Sequence, residues 1–225
     1  MVSVVSGRGL TKTYKRNAEQ VHALRNVEVS LFPGELVALV GPSGSGKSTL
    51  LNVLCGWERA DAGALIWGGP LAGRRADDLA WSELALIPQA LGLLDDLTVG
   101  ENVSLPSRLR GHRGALSEET EELMTSVGIA HLADRYPKQA SLGEQQRCCV
   151  ARALLLRPRI VLADEPTAHQ DAHWTEVIFT AFRDLVRGGA VCLIATHNPE
   201  TWQYADRILS MHDGELREGA PAALH

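Results

Sequence analysis

Gly41-Pro42-Ser43-Gly44-Ser45-Gly46-Lys47-Ser48 is the most informative segment of this 225-residue sequence. It fits the pattern GxxxxGK[ST], follows the apolar run Leu36–Val40 and leads into residues 47–54, which favour a helix. Glycines let successive backbone N–H groups turn inward around a phosphate, and a helix N-terminus adds its positive end. A random sequence of this length contains the pattern in roughly one case in a hundred. The segment therefore predicts a nucleoside triphosphate site, in which Lys47 reaches the β- and γ-phosphates and Ser48 binds Mg²⁺.

A pair of acidic residues forms the second motif. Asp164 and Glu165 follow directly on the apolar run 160–163, which reads as a buried strand. On its own such a pair is also compatible with a solvated strand end or a helix cap. A carboxylate at a strand end is the usual second Mg²⁺ contact beside a phosphate loop, so the upstream loop favours the functional interpretation. We expect Asp164 to bind Mg²⁺ and Glu165 to orient or deprotonate the attacking water.

The composition narrows the class of protein. The length of 225 residues suits one α/β domain, and 45% hydrophobic and 22% charged residues are close to the average for soluble globular proteins. A net charge of −5 argues against nucleic acid as a partner. No apolar stretch approaches the roughly 18 residues that cross a bilayer, and the first ten residues do not resemble an export signal. The four cysteines form no CxxC pair, so we expect them to be reduced and buried.

The order of predicted elements indicates the architecture. The predicted strands cover residues 21–31, 36–40, 84–87, 160–163 and 190–195, and a hairpin follows at 207–212 and beyond. The predicted helices cover residues 47–54, 98–110, 117–127 and 143–156. From its N-terminus the chain is thus first rich in strands, then helical for about fifty residues, and finally alternates between strand and helix. This order predicts a parallel sheet with an inserted helical subdomain.

A third motif resembles the signature sequence of a known protein family. Ala140-Ser141-Leu142-Gly143-Glu144-Gln145-Gln146-Arg147 is followed by an apolar helix that includes Ala151-Arg152-Ala153. With the two motifs above, it resembles the LSGGQ signature and QQR continuation of ABC transporter ATPase subunits, and the resemblance runs nearly end to end. It implies a P-loop NTPase fold of the α/β class, with a mainly parallel sheet, an N-terminal antiparallel β region and an inserted α-helical subdomain. The implied single domain has its core at about residues 1–90 and 157–225 and its helical subdomain at about 91–156.

The resemblance also implies ATP and Mg²⁺ as ligands. ATP is expected to bind the loop residues and, through its adenine, Tyr14; the set is Tyr14, Gly41, Pro42, Ser43, Gly44, Ser45, Gly46, Lys47, Ser48 and Thr49. Gln89 corresponds to the family's glutamine that contacts Mg²⁺, and His197 to the histidine that contacts the γ-phosphate. Taken singly, Tyr14 is compatible with packing, Gln89 with an ordinary loop and His197 with a structural role. The order of the motifs favours the functional interpretation, with Lys47, Glu165 and His197 as the catalytic residues.

The family pattern implies a second copy of the ATPase as partner. In that family two subunits dimerise head to tail, so that Ser141, Gly143, Glu144 and Asp171 would face the ATP of the opposite subunit. Taken singly, Asp171 is also compatible with a helix N-cap.

Several positions depart from the pattern. Ala140 stands where leucine is usual, and His169-Gln170 are unusual before Asp171. Leu142 stands where the first glycine is usual, and is expected to weaken the closed dimer or slow turnover. Homodimer and heterodimer both remain open.

Residues 89–106 point to one branch of the family. This stretch resembles the LLxxLTxxENVxLP run of the lipoprotein-releasing and macrolide-export branch. It implies a docking surface for a separate membrane permease subunit, extrusion rather than import, and a place on the cytoplasmic face of the membrane. Two alternatives remain: a soluble ABC ATPase, and a regulatory module that dimerises on ATP with little turnover. The absence of a second cassette disfavours the first, and the presence of Glu165 disfavours the second.

Overall fold

The computed structural model describes residues 2–16, 19–112 and 114–221, which form two sheets flanked by helices. The strands are β1 (Val5–Arg16), β2 (Glu19–Leu31), β3 (Leu36–Val40), β4 (Ala62–Trp67), β5 (Leu84–Ile87), β6 (Ile160–Asp164), β7 (Val191–Thr196), β8 (Arg207–His212) and β9 (Glu215–Glu218). The α-helices are α1 (Lys47–Cys55), α2 (Val99–Leu109), α3 (Glu118–Ser126), α4 (Leu142–Leu154) and α5 (Ala172–Arg187). No helix of the described residues is long and apolar enough to span a bilayer.

The larger sheet has the strand order β5-β6-β7-β3-β8-β9. Its first five strands are parallel, and β9 closes the edge as an antiparallel hairpin with β8. Every residue of β3, β6 and β7 is buried, because helices cover both faces of a parallel sheet. The pairing register aligns Ile87 with Ala163, Asp164 with Ala195 and Val40 with Thr196. The carboxyl ends of β5, β6, β7 and β3 therefore meet along one edge, as the sequence predicted for a parallel core.

A smaller antiparallel sheet, with the order β2-β1-β4, packs over α1. Apolar residues of β2 and α1, such as Leu24, Val27 and Leu50, join β3 and β8 in one hydrophobic cluster. The expected N-terminal antiparallel β region is thus present. With the parallel sheet and the helices it confirms the predicted α/β fold class.

The helices between β5 and β6 share a core of their own. Val103 of α2, Met124 of α3 and Cys148 of α4 are fully or almost fully buried in it. The opposite face of α4 packs on the parallel sheet, where Cys149 and Val150 contact residues of β6 and α5. Helix α4 therefore belongs to both cores and connects them.

All four cysteines are buried and unpaired, as predicted. Burial raises the pKa of the Cys149 thiol to about 11 and that of Cys192 to about 12. These thiols are therefore protonated at neutral pH and behave as small apolar side chains.

Candidate functional site

The phosphate-loop motif connects the buried strand β3 to helix α1. Gly41 and Gly46 both have a positive φ, 153° and 109°. A Cβ at Gly41 would overlap the carbonyl oxygen of Met211, and one at Gly46 would overlap that of Ala23. These two positions therefore require glycine, because the loop passes directly over neighbouring backbone.

Lys47, the first residue of α1, lies inside this loop. Its side chain is almost buried, and Nζ donates hydrogen bonds to the carbonyl oxygens of Gly41 at 2.8 Å and Pro42 at 3.0 Å. Burial lowers the pKa of Lys47, and the carboxylates of Glu165 and Asp164 partly offset this effect. The ammonium group is thus held at the loop by carbonyl groups that a phosphate can replace.

Ser48 and Asp164, which are distant in sequence, are in direct contact. Ser48 Oγ donates to Asp164 Oδ2 at 2.5 Å. Asp164 is buried, and this burial raises its pKa, although the Ser48 hydroxyl lowers it in part. A hydroxyl and a carboxylate oxygen at this distance are suitable ligands for a hard cation such as Mg²⁺. The structure therefore brings together two of the three predicted metal ligands.

Glu165 and His197 form a second contact, next in sequence to Asp164. Glu165 follows β6 with a φ of 51°, and its backbone N–H donates to the Ala195 carbonyl oxygen at 2.9 Å. Its Oε1 accepts the backbone N–H of His197 at 3.0 Å and lies 2.6 Å from His197 Nδ1. The Glu165 side chain is 13% exposed and that of His197 is 70% exposed, so the imidazole is accessible.

Gln89 and Tyr14 make no hydrogen bond to the described side chains of Lys47, Ser48, Asp164, Glu165 or His197. Gln89 is exposed and follows the end of β5, the neighbour of β6, and its side chain makes no hydrogen bond to the rest of the described chain. Tyr14 on β1 donates its hydroxyl to Glu58. Burial, followed by the Glu58 contact, raises the pKa of Tyr14, and the nearby Thr49 side chain of α1 partly lowers it. Tyr14 therefore packs beside the start of α1, close to the phosphate loop.

The signature segment begins helix α4. Ser141 is the N-cap: its Oγ accepts the Glu144 N–H at 3.3 Å, and Glu144 Oε2 accepts the Ser141 N–H at 2.8 Å and hydroxyl at 2.7 Å. These two hydrogen bonds from Ser141 lower the pKa of Glu144. Leu142, at the first helical position, is 55% exposed and has no positive φ. The leucine in place of glycine therefore causes no backbone strain and exposes an apolar side chain next to Ser141.

The loop before α5 contacts this segment. Asp171 is the N-cap of α5 and accepts the Trp174 N–H at 2.9 Å, which fits the structural interpretation of this residue. Gln170, one residue earlier, is hydrogen-bonded to Gly143 and Arg147. No role was predicted for Gln170, Arg147 or Trp174; the only signal in the sequence was the unusual polar residue before Asp171. No side-chain hydrogen bond in the described part of the chain connects this group with Lys47, Ser48 or Glu165.

Comparison with known families agrees with this geometry. The ABC transporter family matches residues 24–168, which is more than half of the chain. The chain belongs to the ABC transporter family. ATP binding is a property of this family, and the resemblance read from the motifs is thereby confirmed.

Individual relatives of this ABC transporter chain point to the same branch. The chain is 42% identical over 220 residues to the lipoprotein-releasing system ATP-binding protein LolD of Maricaulis maris, covering 95% of this chain and 96% of the relative. It is 35% identical over 227 residues to the macrolide export ATP-binding/permease protein MacB of Shigella flexneri, covering 99% of this chain and 35% of MacB. The dimeric ATP-binding cassette MJ0796 bound to ADP and Pi superposes with a TM-score of 0.85 and 32% identity, covering 98% of this chain and 100% of the cassette.

Proposed function

We propose that this chain hydrolyses ATP to drive lipoprotein release or a related export reaction through a separate membrane permease subunit. The observation that carries the proposal is the convergence of Lys47, Ser48, Asp164, Glu165 and His197 at one edge of the parallel sheet. Similarity to LolD over nearly the full length of both chains supports the branch. Attachment to a permease places the chain at the cytoplasmic face of the membrane.

Nucleotide binding begins at the phosphate loop. The Lys47 ammonium exchanges the Gly41 and Pro42 carbonyls for the β- and γ-phosphates, while the backbone N–H groups of the loop and of the α1 N-terminus bind the same anion. Ser48, Asp164 and Gln89 are the ligands proposed for Mg²⁺. When bound, this ion neutralises charge on the β- and γ-phosphate oxygens.

Hydrolysis uses the pair at the ends of β6 and β7. Glu165 orients the attacking water and accepts its proton, because its backbone N–H is held by the Ala195 carbonyl oxygen and its carboxylate by the backbone N–H of His197. His197 holds this carboxylate through Nδ1 and presents the rest of its exposed ring towards the γ-phosphate. There it stabilises the charge that develops on the transferred phosphoryl group.

The second group of residues completes the site in a head-to-tail dimer. Ser141, Gly143, Glu144 and Asp171 share no side-chain hydrogen bond with the described phosphate-loop residues of their own chain. They lie at the N-termini of α4 and α5, where backbone N–H groups favour an anion. We assign them to the ATP of the opposite subunit, and Tyr14 to the adenine of its own. The similarity to the MJ0796 cassette, which is dimeric and bound to ADP and Pi, supports a dimer.

The permease docks in a groove beside residues 89–106. The groove has a volume of about 490 Å³ and combines Gly92, Leu94 and Leu105 of this stretch with Trp57, Trp81 and Arg152. Trp57 and Leu94 are 67% and 47% exposed, and exposed aromatic residues are common anchors of protein interfaces. Arg152 of α4 donates to the carbonyl oxygens of Leu91 and Gly92, which ties the groove to the signature helix.

The packing of the helices supports a division of the chain into a core and a helical subdomain. Residues 91–156 have a core of their own around Val103, Met124 and Cys148. We therefore propose that they move as a helical subdomain against the core formed by about residues 1–90 and 157–225. Closure on ATP and reopening after hydrolysis then act on the groove.

Steady-state ATP hydrolysis by the purified chain tests the proposal. Glu165→Gln keeps the shape of the side chain but removes the base, so turnover is expected to fall by a factor of about 10² or more. The variant should still bind ATP and form a dimer in ATP and Mg²⁺ that gel filtration with light scattering detects. Glu122→Gln, an exposed position on α3, is the matched control with unchanged turnover. ATP binding and dimerisation without turnover in the unaltered chain would favour the regulatory module.

A further inference from the structure

The side chain of Gln170 connects the loop before α5 to the start of α4. Its Nε2 donates to the carbonyl oxygen of Gly143 at 2.9 Å, and its Oε1 accepts from Arg147 Nη1 at 2.9 Å. Gly143 and Arg147 belong to the first turns of α4, whereas Gln170 precedes the N-cap Asp171 of α5. One amide group therefore connects the starts of two helices.

Close backbone packing accompanies these hydrogen bonds. A Cβ added at Gly143 would lie 3.0 Å from the carbonyl oxygen of His169 and 3.4 Å from Gln170 Nε2. His169 itself has a left-handed backbone with a φ of 61°, and its carbonyl oxygen lies against Gly143 of α4. The glycine of the signature thus allows the loop before α5 to lie directly against the helix.

The buried guanidinium of Arg147 depends on the Gln170 side chain for a hydrogen-bond acceptor. Its side chain is almost buried, and the guanidinium lies 4.0 Å from the ring centroid of Trp174 on α5. Its Nε has no hydrogen-bond partner in the described part of the chain, and the acceptor for Nη1 is Gln170. Burying a guanidinium without acceptors is costly, so the loss of Gln170 affects both helix starts.

We propose that Gln170 is a positioning residue that fixes the signature start of α4 and the loop before α5 as one unit. The inference depends on the head-to-tail dimer of the proposed function, in which both elements face the ATP of the opposite subunit. With Gln170 in place, Ser141 and Asp171 approach that nucleotide together. Without it, each element must be ordered separately when the dimer closes, which makes closure less favourable.

The chemistry of the bridge requires an amide. The Gly143 carbonyl needs a donor and Arg147 needs an acceptor, and glutamine supplies both from one group. Methionine has a similar length but supplies no N–H donor and only a weak sulfur acceptor. Glutamate keeps the acceptor for Arg147 but places a carboxylate against the Gly143 carbonyl.

The test compares Gln170→Met and Gln170→Glu with Gln203→Met. Gln203 is an exposed glutamine whose amide also donates to a backbone carbonyl, that of Glu200. Hydrogen exchange of residues 142–147 is measured on the isolated chain without nucleotide, so that it reports on the bridge whether or not the dimer forms. In both Gln170 variants we expect exchange faster by roughly fivefold, the effect of one hydrogen bond, and no change in Gln203→Met.

Dimerisation distinguishes positioning from a merely structural role. In the Glu165→Gln background, the ATP concentration for half-maximal dimerisation should rise by roughly five- to tenfold in the Gln170 variants. The affinity of the monomer for a fluorescent ATP analogue should stay unchanged, because the phosphate loop is not affected.

Unchanged exchange at 142–147, or faster exchange with unchanged dimerisation, would overturn the inference. A failure of the Glu165→Gln chain itself to dimerise would instead refute the head-to-tail dimer of identical chains, and with it the role of Gln170 towards the ATP of an identical partner. If Gln170→Met does not fold, Gln170→Glu, which retains the Arg147 acceptor, supplies the same comparison.

Discussion

Glu165 Oε1 lies 2.6 Å from Nδ1 of His197, at the carboxyl ends of two neighbouring parallel strands. An ionised carboxylate only accepts hydrogen bonds, so Nδ1 carries the proton and Nε2 is left for another partner. The left-handed backbone of Glu165 is unfavourable by roughly 1 kcal/mol for a non-glycine residue. The bond from its N–H to the Ala195 carbonyl oxygen stabilises this conformation, in which Oε1 contacts His197.

His197→Ala is expected to lower kcat for ATP hydrolysis by a factor of about 10². The variant removes the imidazole from Glu165 and from the γ-phosphate, but leaves the backbone N–H of residue 197 as a donor to Glu165. ATP affinity should change much less, since Lys47 and the phosphate loop stay intact. His112→Ala, at an exposed position outside the site, serves as the control in the same steady-state assay. A kcat within about twofold of the unaltered chain would contradict a role of His197 in hydrolysis.

Stability should depend on pH through Glu144. Hydrogen bonds from the Ser141 side chain and backbone lower the pKa of this carboxyl in the folded state. The contribution of ionised Glu144 to the free energy of unfolding is therefore complete above the ordinary pKa of glutamate, about 4.3. It is lost as the pH falls through the lowered pKa that Glu144 has in the folded chain.

Glu144→Gln keeps a capping side chain but removes its charge, so it should reduce the free energy of unfolding at pH 7 by about 0.5–1 kcal/mol. Urea unfolding between pH 7 and about pH 3 measures this difference, which should shrink as the pH falls below about 4.3. A difference that grows on acidification would show that the charged carboxylate does not stabilise the helix start. Glu122→Gln, exposed on α3, should give little difference at either pH.

The main features of the site could be predicted from the sequence because they are local. The phosphate loop and the Asp164–Glu165 pair each adjoin a short apolar run, and parallel strands bring such ends to one edge. The contacts between Ser48 and Asp164 and between Glu165 and His197 follow from that topology. The helix starts at Ser117 and Ser141 were predicted to within one or two residues, since capping residues mark them.

Features that depend on distant pairing were missed. No strand was predicted over β1 or β4, because β1 is interrupted by register shifts and β4 is mostly exposed, which hides the alternating pattern. No helix was predicted over α5 either, although Asp171 was considered as an N-cap. The bridge from Gln170 to Gly143 spans 27 positions and depends on how α4 and α5 pack, so no local pattern indicates it.

Leu142→Gly tests the departure from the signature. The exposed leucine lies between Ser141 and Gly143 at the surface that faces the opposite ATP in the proposed dimer. Removing it should lower the ATP concentration for half-maximal dimerisation in the Glu165→Gln background. Glycine at a helix position should reduce the free energy of unfolding by up to about 1 kcal/mol. Leu142→Ala separates the two effects, because it removes the bulk without adding backbone freedom. Dimerisation unchanged in both variants would show that the leucine is no obstacle to closure.

Trp57→Ala tests the proposed permease groove. Trp57 is 67% exposed at its rim, and loss of an aromatic anchor from an interface typically costs about 2 kcal/mol or more, or roughly 30-fold in Kd. Capture of the chain by its permease in detergent, followed by quantitative binding, measures the effect. Leu94→Asp should weaken binding further, since it places a charge in the apolar groove. Ile66→Asp is the matched control, because Ile66 is 43% exposed on β4, outside the groove. Equal binding by all three variants would place the permease elsewhere on the chain, whereas loss in the two groove variants alone assigns it to residues 89–106 and the adjoining tryptophans.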